Sequence, residues 1–339
     1  MTYPHGSGKR KPTMRVFVYE HMTAQGIGRD PDSPEHPMYR EGRAMRDAVA
    51  EDFRKLPGTE VFAFADSDAP VDTYTFSDAA NNADWSLVIA PEGGDTLHDL
   101  AAEVWPTSSR FLGPTADAIK LTSNKLVLAD HWYNEDVPTP ETWAREPAPR
   151  DPFPMVWKPR DGAGSHATFR LRSATDLRTA RERLEEANHT GPMILQEYVA
   201  GTAASVAFLC GPGGYEPLLP AYQLLSDDGR FKFLGGELPL PADLAGRATK
   251  LARRAVNCVP GLVGYVGVDL VLGDAADGSR DYAIEINPRL TTSYVGLRAA
   301  AETNLAGAML QAARGGERTP VAWKPGRFRY EPDGSVQSL

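Results

Sequence analysis

Two apolar runs, Gly264–Leu272 (GYVGVDLVL) and Tyr282–Ile286 (YAIEI), set the tightest limit on what this chain can fold into. β-Branched and aromatic residues dominate both, which predicts two strands. Each run also carries a carboxylate, Asp269 in the first and Glu285 in the second, with Asn287 just beyond. Residues two apart on an extended chain face the same side, so Glu285 and Asn287 share a face. Asp269, on a neighbouring antiparallel strand, could meet them there. Three such oxygen donors suit Mg²⁺, which commonly takes one or two protein carboxylates plus substrate phosphates. Arg289, past Pro288, places a fixed cation beside those phosphates. Taken singly, each acid reads equally well as a solvated strand end, and Asn287 as a turn residue before proline. Their combination inside two apolar strands points to a metal–phosphate site.

The chain has 339 residues, too many for one typical core, so two or three domains or subdomains are expected. In the first half, apolar strand-like runs at Met14–Glu20, Glu60–Asp66 and Trp85–Ala90 alternate with helical patterns at Met38–Leu56 and Thr96–Val104, and Phe111–Leu112 suggests a fourth strand. Strands separated by helices imply a parallel sheet. The expected fold is therefore an α/β Rossmann-like domain over 14–114, although no GxGxxG follows its first strand. The second half is richer in strands and is expected to be α+β. Its expected divisions are a linker and first subdomain over 115–199 and a second subdomain over 200–320. Within these, the patterns predict helices over 115–134, 174–188, 242–259 and 295–313, and a proline-rich linker over 138–149. Residues 321–339 read as an irregular tail and 1–13 as a disordered extension, with Met14 as an alternative start.

Net charge is −9, spread along the chain, which argues against general nucleic-acid binding. No run approaches the length of a membrane span, and no apolar signal core opens the chain, so the cytoplasm is the expected location. Two cysteines, Cys210 and Cys258, lie in apolar stretches; buried thiols are expected there, with a single disulfide left open. None of the histidines pairs at metal-ligand spacing, and GxSxG is absent, so no nucleophilic triad is expected.

Three further segments bear on phosphate chemistry. In VWKPRDGAGSHATFR (156–170) an apolar strand ends at Lys158, a point charge suited to phosphate, before a loop of Gly162, Ala163, Gly164 and Ser165. Backbone N–H groups of such a loop can cradle phosphate oxygens, since glycine has no Cβ to block their approach. Alone, the loop reads as an ordinary hairpin turn, and it is no Walker A motif. In SNKLVLADHW (123–132), Ser123 or Asn124 caps a helix with Lys125 in its first turn. That cation opposes the helix dipole unless it reaches an anion; otherwise it is a surface lysine. In ILQEYVAG (194–201), the strand containing Gln196, Glu197, Tyr198 and Val199 offers backbone groups to an adenine ring, or is simply a core strand.

In this order the motifs resemble the ATP-grasp superfamily, from about Thr115 to Ala313, following a Rossmann-like domain of the kind such enzymes carry. The resemblance implies two α+β subdomains that clasp ATP. It implies that Lys125 and Lys158 contact phosphates, Gly162–Ser165 close over them, and Gln196–Val199 meet adenine. Asp269, Glu285 and Asn287 would bind Mg²⁺, or Mn²⁺ in its place, and Arg289 would steady an acyl phosphate. One departure stands out: Gly201–Ser205 contains no acid where family members often place one for the ribose. Within the superfamily, EINPRLTTSYVGL (285–297) and YREGRAM (39–45) look like the branch of tyramine–glutamate ligases of methanofuran synthesis and their bacterial relatives. That likeness implies an ATP-dependent ligase joining tyramine or tyrosine to the glutamate γ-carboxylate. An ATP-grasp ligase for another pair, or a nucleotide-binding regulator without turnover, are the alternatives. Thr291–Tyr294 either borders the amine pocket or packs the turn into the last helix. Partners are small molecules rather than nucleic acid or membrane, and a homo-oligomer is compatible with the sequence.

Overall fold

Met14–Glu20 (β1) buries the last five of its side chains, as its apolar sequence requires. Glu20 caps the short helix His21–Gln25 (α1), accepting from the backbone N–H groups of Met22 and Thr23 at 3.0 and 2.8 Å. The helix His36–Arg54 (α2) follows, with Pro37 in its first turn, where no intrahelical N–H is needed. Thr59–Ala63 (β2), the helix Thr73–Asn81 (α3), Trp85–Ile89 (β3), the helix Thr96–Val104 (α4) and Arg110–Phe111 (β4) continue the alternation. The strands pair in parallel in the order β2-β1-β3-β4, giving the Rossmann-like sheet. This is a computed structural model, and it describes residues 14–64, 70–144, 153–165, 167–186, 190–316 and 319–339. The extension 1–13 and the far end of the strand expected over 60–66 fall outside those residues.

The helix expected over 115–134 is two helices, Ala116–Ser123 (α5) and Lys125–Asn134 (α6). Asn124 leaves helical geometry (φ −94°, ψ 97°), and its side chain caps α6 by accepting from the Val127 N–H at 3.2 Å. A small antiparallel sheet comes next, from Thr142–Trp143 (β5), Met155–Pro159 (β6), Phe169–Leu171 (β7), the helix Ala174–Glu186 (α7) and Met193–Glu197 (β8). Its order is β5-β8-β6-β7. β5 lies in the stretch read as linker, whose residues 145–149 are not among those described.

The largest sheet contains Thr202–Gly211 (β9), Gly214–Pro217 (β10), Ala221–Leu225 (β11) and Phe233–Leu238 (β12). After the amphipathic helix Ala242–Asn257 (α8) come Gly264–Leu272 (β13) and Tyr282–Asn287 (β14). The helix expected over 295–313 is again two, Ser293–Ala300 (α9) and Leu305–Arg314 (α10), separated where Ala301 turns extended (φ −77°, ψ 141°). The tail read as irregular forms two strands, Phe328–Tyr330 (β15) and Val336–Ser338 (β16). The sheet runs β14-β13-β9-β11-β12-β15-β16, with β10 beside β9. Neither β12 nor β15 was visible in the sequence. β12 carries Gly235 and Gly236, which weaken a strand signal, but the fold needs Gly236: a Cβ there would sit 2.3 Å from the Tyr330 hydroxyl.

One apolar core joins the ends of the chain. Val16, Val49, Phe53 and Leu87 of the first domain pack with Tyr294, Leu297, Met309 and Tyr330. This shared core fixes the Rossmann-like domain against the segment that follows β14. Among the described residues no helix is long and apolar enough to cross a membrane. Both cysteines are free; Cys210 is buried and Cys258 half-buried.

Candidate active site

Asp269 and Glu285 are direct cross-strand partners on β13 and β14, and Gly267 faces Asn287. A register irregularity follows Asp269, where a bulge re-aims side chains. The Asn287 amide donates to Asp269 Oδ2 at 3.1 Å, and Gln223 on β11 donates to Asp269 Oδ1 at 2.8 Å. Lys125, the first residue of α6, donates to the Gly162 carbonyl at 2.9 Å and lies 3.3 Å from Glu285 Oε2. Burial opposes charge on both acids. It raises the Asp269 carboxyl, and the Glu285 charge raises it further. For Glu285, burial is outweighed by the fields of Lys125 and Lys158, which hold it in the charged form. Two buried carboxylates that repel each other, with an amide oxygen alongside, are a donor set that a divalent cation would relieve. Among the described residues no three His, Cys, Asp or Glu side chains cluster for a metal, so the set is two carboxylates and an amide.

Lys158 ends β6 almost fully buried and donates to the Gln196 side chain at 2.9 Å. Burial pulls its ammonium down to about 8, against the attraction of Glu285. Gln196 in turn donates to Thr142 Oγ1 at 2.9 Å, so its side chain holds Lys158 rather than reaching for a base. Past Lys158 the loop turns through positive φ at Gly162 (+118°), Gly164 (+72°) and Ser165 (+53°), the first two at residues that adopt it without strain. The loop rests against the first domain, where Asp161 accepts from the Gly94 N–H at 3.0 Å. On the neighbouring strand, the N–H groups of Glu197 and Tyr198 already donate to Glu141 and Pro154 carbonyls. Arg170 lies over the Tyr198 ring at 3.8 Å.

All the residues singled out from the sequence line one cavity of about 1020 Å³: Lys125, Lys158, Gly162–Ser165, Gln196–Val199, Asp269, Glu285, Asn287 and Arg289. That volume is at the upper end for small-molecule sites and has room for a nucleotide and a second ligand. Gly201, Ala203 and Ser205 also line it without an acid; Asp227, on the β11–β12 hairpin, is a cavity acid the sequence reading did not consider.

The sequence reading missed what the first domain contributes. Glu92, buried in the loop after β3, pairs with Arg289, Oε1 to Nε at 2.9 Å. Glu41 on α2 lines the cavity and accepts from Thr292 Oγ1 at 3.2 Å. Burial pushes the Glu41 carboxyl up to about 7, opposed by the Thr292 hydrogen bond and the Arg289 charge. Thr291–Tyr294 divides between the two roles left open for it. Thr291, Thr292 and Ser293 line the cavity, whereas Tyr294 is buried and donates to Asp52 at 2.9 Å.

An ATP-grasp domain model matches residues 122–293, and a pre-ATP-grasp domain model matches residues 45–119. The chain is 31% identical to the tyramine–L-glutamate ligase of Methanocaldococcus fervens, over 70% of this chain and 68% of that one. It is 32% identical to the corresponding ligase of Methanocaldococcus jannaschii, over 65% of this chain and 60% of that one. The crystal structure of an ATP-grasp superfamily protein from Archaeoglobus fulgidus superposes with a TM-score of 0.71 at 26% identity, covering 94% of this chain and 92% of that one. The chain belongs to the ATP-grasp superfamily and is an ATP-dependent ligase that joins a carboxylate to an amine.

Proposed function

We propose that the chain joins tyramine or tyrosine to the γ-carboxylate of glutamate, in a pathway to a methanofuran-like C1 carrier, in the cytoplasm where ATP is plentiful. The observation that carries the site is the convergence of Lys125, Lys158, Asp269, Glu285, Asn287 and Arg289 on one cavity. The likeness to two tyramine–L-glutamate ligases supports the choice of substrates.

In this reading ATP phosphates lie along Lys125 and Lys158 beneath Gly162–Ser165, and the base lies against Tyr198 and Val199. Asp269, Glu285 and Asn287 would hold Mg²⁺ or Mn²⁺, which offsets phosphate charge while the carboxylate approaches. The glutamate carboxylate attacks the γ-phosphorus, forming an acyl phosphate and releasing ADP. The amine, having released its ammonium proton, then attacks the acyl carbon; the C–N bond forms, the nitrogen loses a second proton to solvent, and inorganic phosphate leaves with the electron pair of the C–O bond. Lys125, Lys158 and Arg289 lower the repulsion between two anions at the first step, and Arg289 steadies the acyl phosphate at the second.

The test supplies ATP, Mg²⁺ and a panel of carboxylates and amines, and follows ADP release and product mass. ADP release that requires glutamate together with tyramine or tyrosine supports the reading. Turnover with another pair alone would replace the substrates. ATP binding without ADP formation on any pair would favour a regulator.

A further inference from the structure

The first domain closes one side of the cavity, and its contribution differs in kind from the rest. Its cavity-lining residues are Met22, Glu35, Met38, Glu41, Pro91, Gly93 and Gly94, with no lysine, arginine or histidine among them. Met38 and Glu41 are three apart on α2 and so share a face. The helix is seated closely: a Cβ on Gly42 would fall 2.4 Å from the Glu20 carboxyl, so a larger residue there would have to displace that side chain. Glu41 is thereby held at the wall with one neutral partner, the Thr292 hydroxyl. The nearby cation, Arg289, is paired to Glu92 instead, and among the described residues no ion pair reaches Glu41. A half-buried carboxylate whose one nearby cation is engaged by another acid gains from a ligand that supplies a cation of its own.

We propose that Glu41 receives the ammonium group of the amine substrate, and that the wall around it selects a primary amine with an apolar body and no carboxylate of its own. The methionine side chains of Met22 and Met38 offer a polarizable apolar surface, which suits an alkyl or aromatic body. An amino acid would bring an α-carboxylate to the first-domain wall, whose charged cavity residues are the acids Glu35 and Glu41, a like-charge contact that disfavours it. This rests on the ligase reading above and sharpens it toward a decarboxylated amine rather than an amino acid.

The two half-reactions separate the roles. Hydroxylamine is uncharged at neutral pH and traps an acyl phosphate as the hydroxamate, so it needs no carboxylate to bind it. Wild type and Glu41→Gln are compared for hydroxamate formation from ATP and glutamate, and for amide formation with tyramine and with tyrosine. The expected result is hydroxamate formation retained in Glu41→Gln and a KM for tyramine raised at least about tenfold, as for loss of one partner of a buried charge pair. Glu41→Asp, which keeps the charge, is expected to recover part of that loss, and wild type is expected to prefer tyramine to tyrosine. Equal loss of hydroxamate and amide would place Glu41 in the carboxylate half-reaction or in folding and overturn the proposal. An unchanged amine KM, or a preference for tyrosine, would overturn it as well. If wild type forms no hydroxamate from glutamate, the substrate reading has failed separately. The same comparison is then made with whichever carboxylate and amine wild type accepts.

Discussion

Arg289 and Glu92 form a buried ion pair, Nε to Oε1 at 2.9 Å, that links the end of β14 to the first domain. Arg289 also donates to Glu92 Oε2 at 3.2 Å and to the Leu290 carbonyl at 3.1 Å. The guanidinium is therefore oriented before substrate arrives, and the acid that orients it comes from a part of the chain remote in sequence. Removing one member of a buried pair leaves the other charge uncompensated, at a cost of about 3–5 kcal/mol. Glu92→Ala is expected to lower both thermal stability and turnover, and Glu92→Gln to retain more of the fold while losing turnover. Wild-type kcat in a folded Glu92→Gln protein would show that Arg289 needs no such orientation.

Glu285 sits where Lys125, Lys158 and Asp269 all act on it. Its loss removes the carboxylate whose charge Lys125 and Lys158 both meet, a metal donor in the proposed reading. Preorganised groups of this kind are typically worth about 3–4 kcal/mol in the transition state. Glu285→Ala is expected to reduce turnover at least about a hundredfold with the fold intact, and chelation of Mg²⁺ to abolish ADP release in wild type. Near-normal turnover in the folded variant would remove Glu285 from the metal assignment.

Asp52 anchors the same interface farther from the cavity. Its carboxylate accepts from the Tyr294 hydroxyl at 2.9 Å and from Arg298 Nε and Nη2 at 2.9 and 2.7 Å, while its carbonyl accepts from Asn304. Asp52→Ala strands the buried Tyr294 hydroxyl and leaves the Arg298 guanidinium with Glu51 alone. Denaturant melts are expected to show a loss of about 3–5 kcal/mol. ATP affinity measured well below the melting temperature is expected to stay unchanged, because no atom of this cluster lies in the phosphate site. A drop in ATP affinity without loss of stability would contradict the structural role.

That Lys125, Lys158, Gly162–Ser165, Asp269, Glu285 and Asn287 line one cavity was legible because their signals are written locally: an acid inside an apolar strand, a lysine at a strand end, glycines in a turn. The pairing of Asp269 with Glu285 followed from two apolar runs that had to lie side by side. The first-domain half was not legible. Glu92 and Glu41 look like ordinary acids in a loop and on an amphipathic helix, and only the shared core of α2 with α9 and α10 brings them to Arg289 and Thr292. Gln196 lies on a strand as expected, but its side chain is engaged by Lys158 and Thr142. Tyr330 was lost in a tail of prolines and glycines, since the signal of a three-residue strand cannot compete with such composition. The break between α9 and α10 was missed for a related reason: Ala301 interrupts the helix by backbone geometry without interrupting the hydrophobic periodicity. The start of α6 was legible, because Ser123 or Asn124 reads as a cap and Asn124 is that cap.

Glu41 makes stability and function pull in opposite directions. Burial raises its carboxyl from the ordinary 4.5 to about 7, so the folded protein holds that proton over a range where the unfolded chain has released it. Stability falls with rising pH wherever the folded state binds more protons. Glu41 therefore costs nothing at pH 4, destabilises progressively between about 4.5 and 7, and reaches its full cost above that, up to roughly 3 kcal/mol at about 1.4 kcal/mol per unit. Access to the cavity reduces that figure, since solvent and ligand share the site. Glutamine keeps the shape and the Thr292 hydrogen bond without the charge. Glu41→Gln is expected to melt higher than wild type at pH 8 and to match it at pH 4–5. Saturating amine is expected to stabilise wild type at pH 8 more than the variant, because a bound ammonium supplies the missing counter-charge. Equal melting temperatures at pH 8, or a variant less stable there than wild type, would show that the Glu41 carboxylate is compensated within the protein and is not held ready for a ligand.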